Sequence, residues 1–148
     1  MKLLLFFINF LTLFYLAYED YKKQEIPILP PLLLTFINIL YFCFSSNSFL
    51  PLFHTSLVLF LLFYLREIMF VFLEKDPFPE GDLITASFIA SFLGPEKTFY
   101  TIFLASVFSL IFALIFKRRA FPFVPFLFVA SILSLFLDKF FSKIIFTN

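Results

Sequence analysis

The chain has 148 residues, of which 62% are hydrophobic and 24% aromatic, and it contains 29 Phe, 2 Gly and no Trp. A soluble domain of this length needs far more polar side chains to cover its surface, so the composition indicates a membrane protein. The net charge of +1 comes without a basic patch for nucleic acid. One cysteine and one histidine exclude an intramolecular disulfide and a metal centre built from these two residue types within one chain.

Six apolar runs follow one another along the chain, separated by charges, prolines and polar clusters. They cover residues 3–18, 28–44, 50–73, 83–93, 98–116 and 123–140. A transmembrane helix needs about 20 mostly apolar residues, and these runs lack the alternation of barrel strands. The first run has no small-residue cleavage site, so we interpret it as a mature span and not as a signal peptide. The predicted fold is an all-α membrane protein, a six-transmembrane-helix bundle that forms one domain over residues 1–148.

The fourth run is short for a transmembrane helix. It spans only if the preceding "PFPEGD" segment dips below the membrane surface, or if protein surrounds the helix. Ala86, Ser87, Ala90 and Ser91 place small side chains on it at helical spacing, which favours close packing inside the bundle. Asn38, a polar residue in the second run, predicts a hydrogen bond between helices.

The distribution of Lys and Arg predicts the orientation, because cytoplasmic loops carry an excess of both. The loops after the first, third and fifth runs hold Lys22, Lys23, Lys75, Lys117, Arg118 and Arg119. The opposite side holds Lys2, Lys97, Lys139 and Lys143. We therefore expect both termini to be extracytoplasmic, with the loops "YEDYKKQEIP" and "EKDPFPEGD" on the cytoplasmic face of the plasma (inner) membrane.

Each of these two loops places an aspartate against the end of a helix, Asp20 after the first run and Asp82 before the fourth. Two carboxyl groups that share a site cannot both ionise cheaply, so the pair holds one proton between them. The ionised member can take a proton from water while the neutral member polarises a peptide carbonyl, which is aspartic peptidase chemistry. That chemistry needs no metal, cofactor or nucleophilic side chain. The residues alone leave a second interpretation open, in which these acids are solvated loop charge and Asp82 is a plain helix cap.

Three stretches carry a motif pattern. "DYKKQEIP" has an aspartate seven residues before the proline of an Ile-Pro pair, "PEGDLITASFIASFLG" has a Gly-Asp pair, a small-residue helix and a closing glycine, and "FPFVPFLFVA" opens the last run with two prolines. In this order and spacing they resemble the type IV prepilin peptidases, membrane aspartic enzymes that include the archaeal preflagellin peptidases. The resemblance implies that Asp20 and Asp82 are catalytic. It implies supporting roles for Pro27, Gly81, Gly94, Pro122 and Pro125.

Four positions depart from the family pattern. Pro79 stands where the first glycine of Gly-x-Gly-Asp belongs, and Ile84 replaces a frequent lysine. Ile28 stands where Asn or Asp is usual, and Val124 replaces the glycine between the last two prolines. These changes concern loop conformation and substrate range, since proline fixes φ where glycine leaves it free.

Many family members carry an N-terminal insertion with paired Cys-x-x-Cys motifs that is linked to N-methylation of the new pilin terminus. Here the first apolar run begins at once and Cys43 is the single cysteine. The resemblance therefore implies cleavage without methylation, and no cysteine-rich methyltransferase insertion.

Other charged residues lie close to the two loops. Arg66 and Glu67, in the third run, either support the aspartates or contact the substrate, or else they extend to the membrane interface. His54, at the outer end of that run, is interpreted as interfacial. Further acids form a predicted docking surface for a basic leader peptide, although each one alone also fits ordinary juxtamembrane charge. They are Glu19, Glu25, Glu74, Asp76 and Glu80.

Together with the residues, the resemblance implies a membrane aspartic endopeptidase that removes the short leader from type IV prepilin-like or archaellin-like precursors at the cytoplasmic membrane boundary. The predicted partners are that membrane protein substrate and the lipid bilayer, with no nucleic acid and no small-molecule cofactor. Two other classes stay open. A small proton or cation transporter subunit predicts acids spread through the bilayer thickness, and a catalytically degenerate membrane subunit of a pilus or secretion assembly predicts unchanged assembly when Asp82 becomes asparagine. Within the peptidases, cleavage of general transmembrane substrates is a further alternative, because presenilin-like proteases share Gly-x-Gly-Asp.

Overall fold

The computed structural model describes residues 2–46, 48–73, 79–116 and 122–145, with side chains placed except at 73 and 138–145. Within these ranges the chain forms six helices and the all-α prediction is confirmed. The helices are α1 (Lys2–Lys23), α2 (Leu29–Ser46), α3 (Leu50–Leu73), α4 (Glu80–Leu93), α5 (Pro95–Phe116) and α6 (Val124–Ile145).

Four of the helices are long and apolar enough to cross a bilayer: α1, α2, α5 and residues Leu50–Phe72 of α3. In α6 the apolar stretch is shorter, Val124–Leu137, and α4 has 14 residues. The chain is therefore a membrane protein whose spanning helices include these four. The count of six spans and the extracytoplasmic position of the termini stay predictions.

The short helix α4 lies in the interior of the bundle. It packs against each of the five other helices, and nine of its 14 residues are buried. Its buried side chains include Ala86, Ser87, Ala90 and Ser91, and small residues of this kind let neighbouring helices approach closely. The prediction that protein, and not lipid, surrounds this helix is confirmed.

A buried polar cluster joins α1, α2 and α4 along this interior. The Asn9 and Asn38 side-chain amides donate to each other's oxygens at 3.0 and 3.2 Å, and Asn38 Nδ2 also donates to Ser91 Oγ at 2.9 Å. The predicted interhelical hydrogen bond of Asn38 is thus confirmed. Because water is scarce at this depth, the cluster fixes the register of the three helices through groups that have few other partners.

Replacing Asn38 with alanine is expected to lower the free energy of unfolding by about 1–2 kcal/mol, since it leaves the Asn9 amide buried without its partner. The double variant Asn9→Leu/Asn38→Leu should cost less than the two single changes added together, because it removes both polar partners. Denaturant titration in detergent measures both. Ser106→Ala, at an exposed hydroxyl that bonds only its own helix in the described contacts, is the control. Equal losses for Asn38 and Ser106 would contradict the role of the cluster.

The structure corrects the ends of two predicted helices. α1 continues to Lys23, past the predicted end at residue 18, and Lys22 and Lys23 in its last turn complement the negative end of the helix dipole. It stops at Gln24, whose φ of +55° is left-handed and whose N–H donates to the Asp20 carbonyl at 2.9 Å. α4 begins at Glu80, before its predicted start at residue 83. The prediction that both aspartates lie in loops is therefore wrong: Asp20 and Asp82 are helical residues.

The turn between α4 and α5 requires its glycine. Gly94 ends α4 with φ +83°, a conformation that residues with a Cβ rarely adopt, and its N–H donates to the Ala90 carbonyl at 3.1 Å. Pro95 follows as the first residue of α5, where a missing N–H costs nothing. Gly94 thus lets two helices meet across a single residue, which places α4 directly beside α5.

Candidate active site

Three helix ends meet at one end of the bundle: the C-terminal end of α1 and the N-terminal ends of α4 and α6. A shared apolar cluster holds them, with Leu16 and Ala17 from α1, Phe88 from α4 and Val124 and Leu127 from α6, all buried. Asp20 and Asp82 lie at the polar edge of this cluster. The fold therefore positions both carboxyl groups on rigid helices and not on loops.

Asp20 is buried, with 6% of its surface exposed. Its Oδ2 accepts the backbone N–H of Val124, the first residue of α6, at 2.9 Å. An ionised carboxylate at a helix N-terminus satisfies free N–H groups and complements the positive end of the dipole. The alternative in which Asp20 is solvated loop charge does not fit this geometry.

Asp82 is the third residue of α4 and is 9% exposed. The helix is capped by Pro79, whose carbonyl accepts the Asp82 N–H at 3.0 Å, so Asp82 is not the plain cap considered above. Asp82 lies just outside the predicted fourth span. Burial and the nearby charge of Asp20 raise the pKa of the Asp82 carboxyl to about 7. The two carboxyl groups, from α1 and α4, therefore interact with each other.

A close contact between the two motif regions accounts for Gly81. A Cβ built on Gly81 would lie 2.7 Å from Ile26 Cδ1 and 2.8 Å from Ile26 Cβ, so the Ile26 side chain rests directly on the bare backbone of α4. Pro27 restricts Ile26 to extended backbone, which fixes the direction of that side chain. The Ile-Pro pair after Asp20 is thereby joined to the residue before Asp82.

The entry to α6 explains the prolines of the third stretch. Pro125 occupies the second position of α6, where its missing N–H needs no partner, and Pro122 precedes the helix. The N–H groups of Phe126 and Leu127 donate to the Phe123 carbonyl at 3.0 and 3.2 Å. The N–H of Val124 is left to donate to Asp20.

Two of the four departures from the family pattern fit the local backbone. Pro79 has φ −57° and ψ 145°, which proline adopts without strain. Val124 starts α6, and the positive-φ residues in the described part of the chain are Gln24 and Gly94, so valine replaces glycine there without strain. Ile84 lines a cavity of about 200 Å³ with Leu32 and other residues of α2 and α3. Ile28 is exposed.

The remaining acids are placed in part. Glu19 pairs with Lys23 on α1 at 2.6 Å, whereas Glu25 and Glu80 are exposed at the same end. Glu74 and Asp76 lie outside the described residues. So do four of the basic residues on which the predicted membrane orientation depends: Lys75, Lys117, Arg118 and Arg119. The predicted docking surface is therefore described at three of its five positions.

Arg66 points toward the bundle. It is 17% exposed at its side chain, and its Nη1 lies 3.8 Å from Glu80 Oε1 in the first turn of α4. Glu67 is exposed. His54 lies at the other end of the bundle, where it lines a cavity with Ser91 and Gly94, away from the aspartates. This contact places Arg66 beside the helix that carries Asp82, and its role stays a prediction.

Sequence reasoning missed two features of the site: the hydrogen bond from Val124 to Asp20, and the contact of Ile26 with Gly81. The first had only a partial signal: the prolines around the start of α6 indicate that a nearby N–H needs an acceptor, but not which residue supplies it. The second had no signal beyond the glycine itself. Among the described residues no group of three or more His, Cys, Asp or Glu side chains could hold a metal ion.

The sequence profile of the type IV leader peptidase family matches residues 7–114 of the chain, which include most of α1 and α5, all of α2 to α4, and both aspartates. The chain belongs to this family. The resemblance seen in the motifs is thereby confirmed at the level of the family, and the membrane protein is a member of a peptidase family. No curated protein and no solved structure matches the peptidase.

The matched range ends before the third stretch. Asp20, Pro27, Gly81, Asp82 and Gly94 lie inside it, whereas Pro122 and Pro125 lie beyond it. The predicted supporting role of Pro122 and Pro125 therefore depends on their position at the start of α6, the helix whose first N–H binds Asp20.

Proposed function

We propose that the peptidase is an aspartic endopeptidase that removes the short leader of type IV prepilin-like or archaellin-like membrane precursors, with Asp20 and Asp82 as its catalytic pair. The observation that carries this proposal is the meeting of two buried, interacting carboxyl groups from α1 and α4 in a chain of the leader peptidase family. The proposal includes six spans, extracytoplasmic termini and a site on the cytoplasmic face of the inner membrane. The distribution of Lys and Arg supports that orientation.

The proposed reaction uses one proton held by the pair. The ionised carboxylate takes a proton from water, the water oxygen bonds to the peptide carbonyl carbon, and the neutral carboxyl gives its proton to the carbonyl oxygen. In the resulting gem-diol one hydroxyl proton returns to the second carboxylate, the C–N bond breaks, and the amine leaves with the proton held by the first. One water is consumed, and the pair ends with the single proton with which it began.

The described acids support recognition of a basic leader. Glu25 and Glu80 are exposed on the same end as the aspartates, and Glu19 is partly exposed beside Lys23. Negative charge at this end would attract a positively charged segment and orient it toward the pair. The apolar segment of the precursor would lie in lipid beside the exposed apolar faces of the helices.

The cleavage rate is expected to fall as the pH rises above about 7, by tenfold per unit, because the pKa of Asp82 is about 7 and the pair loses its proton above it. The sign follows from the direction of the shift: a raised acid pKa keeps the proton in place through neutral pH. A pH series of kcat/KM with purified peptidase in detergent measures this, because kcat/KM reports the groups of the free enzyme. A rate that stays constant to about pH 9 would contradict the assignment of a proton to the pair.

The direct test of the proposed function combines the purified peptidase with a prepilin-like precursor that carries a basic leader, and follows the mass of the product. We expect one cut at the boundary between the leader and the apolar segment. Absence of any cut, with the peptidase folded by circular dichroism, would end the proposal.

The same assay is repeated with EDTA. We expect an unchanged rate, because the carboxyl pair activates water without a metal. A rate that EDTA lowers and added divalent cation restores would replace the aspartic mechanism with metal-assisted hydrolysis.

A further inference from the structure

The geometry points to a division of labour within the pair, which rests on the proposed function. We propose that the N-terminus of α6, through the backbone N–H of Val124, holds Asp20 as the ionised member, so that Asp20 is the base that activates water and Asp82 is the acid that keeps the proton. Val124 is then a positioning residue that acts through Asp20.

The N–H groups at the start of α6 have few acceptors within their own helix. Phe126 and Leu127 donate to the Phe123 carbonyl, and Pro125 has no N–H. The free donor of this turn is Val124, and it donates to Asp20 Oδ2 at 2.9 Å. Val124 is fully buried, so water cannot replace this acceptor. The first turn of α6 thus depends on a carboxylate contributed by α1.

The Val124 N–H interacts more favourably with an ionised carboxylate than with a neutral carboxyl group. A backbone N–H that donates to a carboxyl oxygen stabilises the ionised form, and the bond is stronger than one between neutral groups. The positive end of the α6 dipole acts in the same direction. Asp20 is therefore the member of the pair with a backbone donor and a helix N-terminus directed at its carboxyl group.

Asp82 differs from Asp20 in the hydrogen bonds of its carboxyl group. Within the part of the chain that the structure describes, no hydrogen bond reaches the Asp82 carboxyl, although Asp82 is nearly as buried as Asp20. The charge that acts on it is that of Asp20, which opposes a second negative charge nearby. A buried carboxyl group without donors and beside a carboxylate retains its proton, and its pKa of about 7 agrees with this.

The other titratable groups at this end do not reverse the assignment. Glu19 is paired with Lys23 on α1, and Arg66 of α3 lies beside Glu80 of α4. Glu25 is exposed. In the described residues, α2, α5 and α6 present no ionisable side chain at this end of the bundle.

Val124→Pro tests the positioning role by deleting one N–H. Proline is accepted at the first position of a helix, and Phe123 before it occupies a cap position, where the extended backbone that proline demands is usual. We expect the acidic limb of the pH–rate profile to move to higher pH by about one unit, because the ionised form of Asp20 loses a donor. Val124→Ala keeps the N–H and should leave the limb in place. A lower rate with an unmoved limb would mean a merely structural role and would overturn the inference.

A second measurement does not depend on how Val124→Pro folds. Infrared spectra are recorded at about pH 5.5, between the ordinary pKa of an aspartate and the value of about 7 at Asp82. The band of a buried protonated carboxyl should persist in Asp20→Asn, because burial, the larger cause of the raised pKa of Asp82, remains in that variant, and it should disappear in Asp82→Asn. The reverse pattern, or a band that is present or absent in both variants, would overturn the assignment. Wild-type peptidase that cleaves no precursor would end the proposed function, whereas cleavage with the wrong spectral pattern would end this inference alone.

Discussion

Asp82→Asn is expected to lower the rate of leader cleavage by about 10³-fold or more, and Asp20→Asn should do the same. Each change leaves a side chain of nearly the same shape, but the pair then has one carboxyl group and cannot hold an acid and a base together. Asparagine at position 20 can still accept the Val124 N–H through its amide oxygen, so the entry to α6 keeps its cap. The loss is therefore chemical, and it appears in kcat of the purified variants.

The matched control is Glu96→Gln. Glu96 is an exposed acid in the first turn of α5, at the end of the bundle remote from Asp82, so it resembles Asp82 in its place on a helix but not in its surroundings. We expect wild-type cleavage from it. The double variant Asp20→Asn/Asp82→Asn should be no slower than either single variant, because the two groups act as a unit. Additive losses, or cleavage that survives in both single variants, would contradict the paired mechanism.

The sequence singles out the two aspartates as candidates because carboxylates are costly at membrane depth, and Asp20 and Asp82 both lie beside helix ends on the predicted cytoplasmic side. Their catalytic role stays a prediction. The interior position of α4 was predictable for a similar reason: a helix that is short and rich in small residues needs protein around it. In both cases a strong physical penalty leaves few alternatives.

The ends of the helices were less predictable. The apolar run of α1 stops near residue 18, but the helix continues to Lys23, because polar residues sustain a helix as well as apolar ones where the membrane ends. Hydropathy marks the lipid boundary and not the hydrogen-bond ladder. Asp20 was placed in a loop for this reason, and its fixed orientation on α1 was missed.

Contacts between distant residues were not predictable from one sequence. Asp20 and Val124 are separated by 104 positions, and no local pattern links a carboxylate on α1 to an N–H on α6. The pair Arg66 and Glu80 has the same character, since either charge alone fits the interface. These contacts decide which carboxyl group has donors, and that is a property of the packed bundle.

Gly81→Ala is expected to lower kcat by about 10²-fold, because a misplacement of about 1 Å can cost that much in an oriented reaction. The added Cβ would lie 2.7–2.8 Å from Ile26, including its Cβ, which belongs to the rigid part of that side chain. The chain after α1 and the first turn of α4 must therefore separate, and Asp20 and Asp82 move apart with them. Cleavage kinetics and the free energy of unfolding, measured on the same preparation, report the two effects.

Gly94→Ala is the same substitution in a different setting. It meets no atom within 4 Å but imposes a φ of +83° on alanine, so it should lower stability by about 1–3 kcal/mol and leave the rate per folded molecule unchanged. In the double variant Gly81→Ala/Ile26→Gly, the side chain that the new Cβ would meet is removed. The two segments can then approach as in the wild type, and part of the rate should recover. If Gly81→Ala instead behaves like Gly94→Ala, with lower stability and normal kcat, the contact does not position the aspartates. Recovery in the double variant would show that the space between Ile26 and Gly81, and not the glycine backbone itself, sets the spacing of the pair.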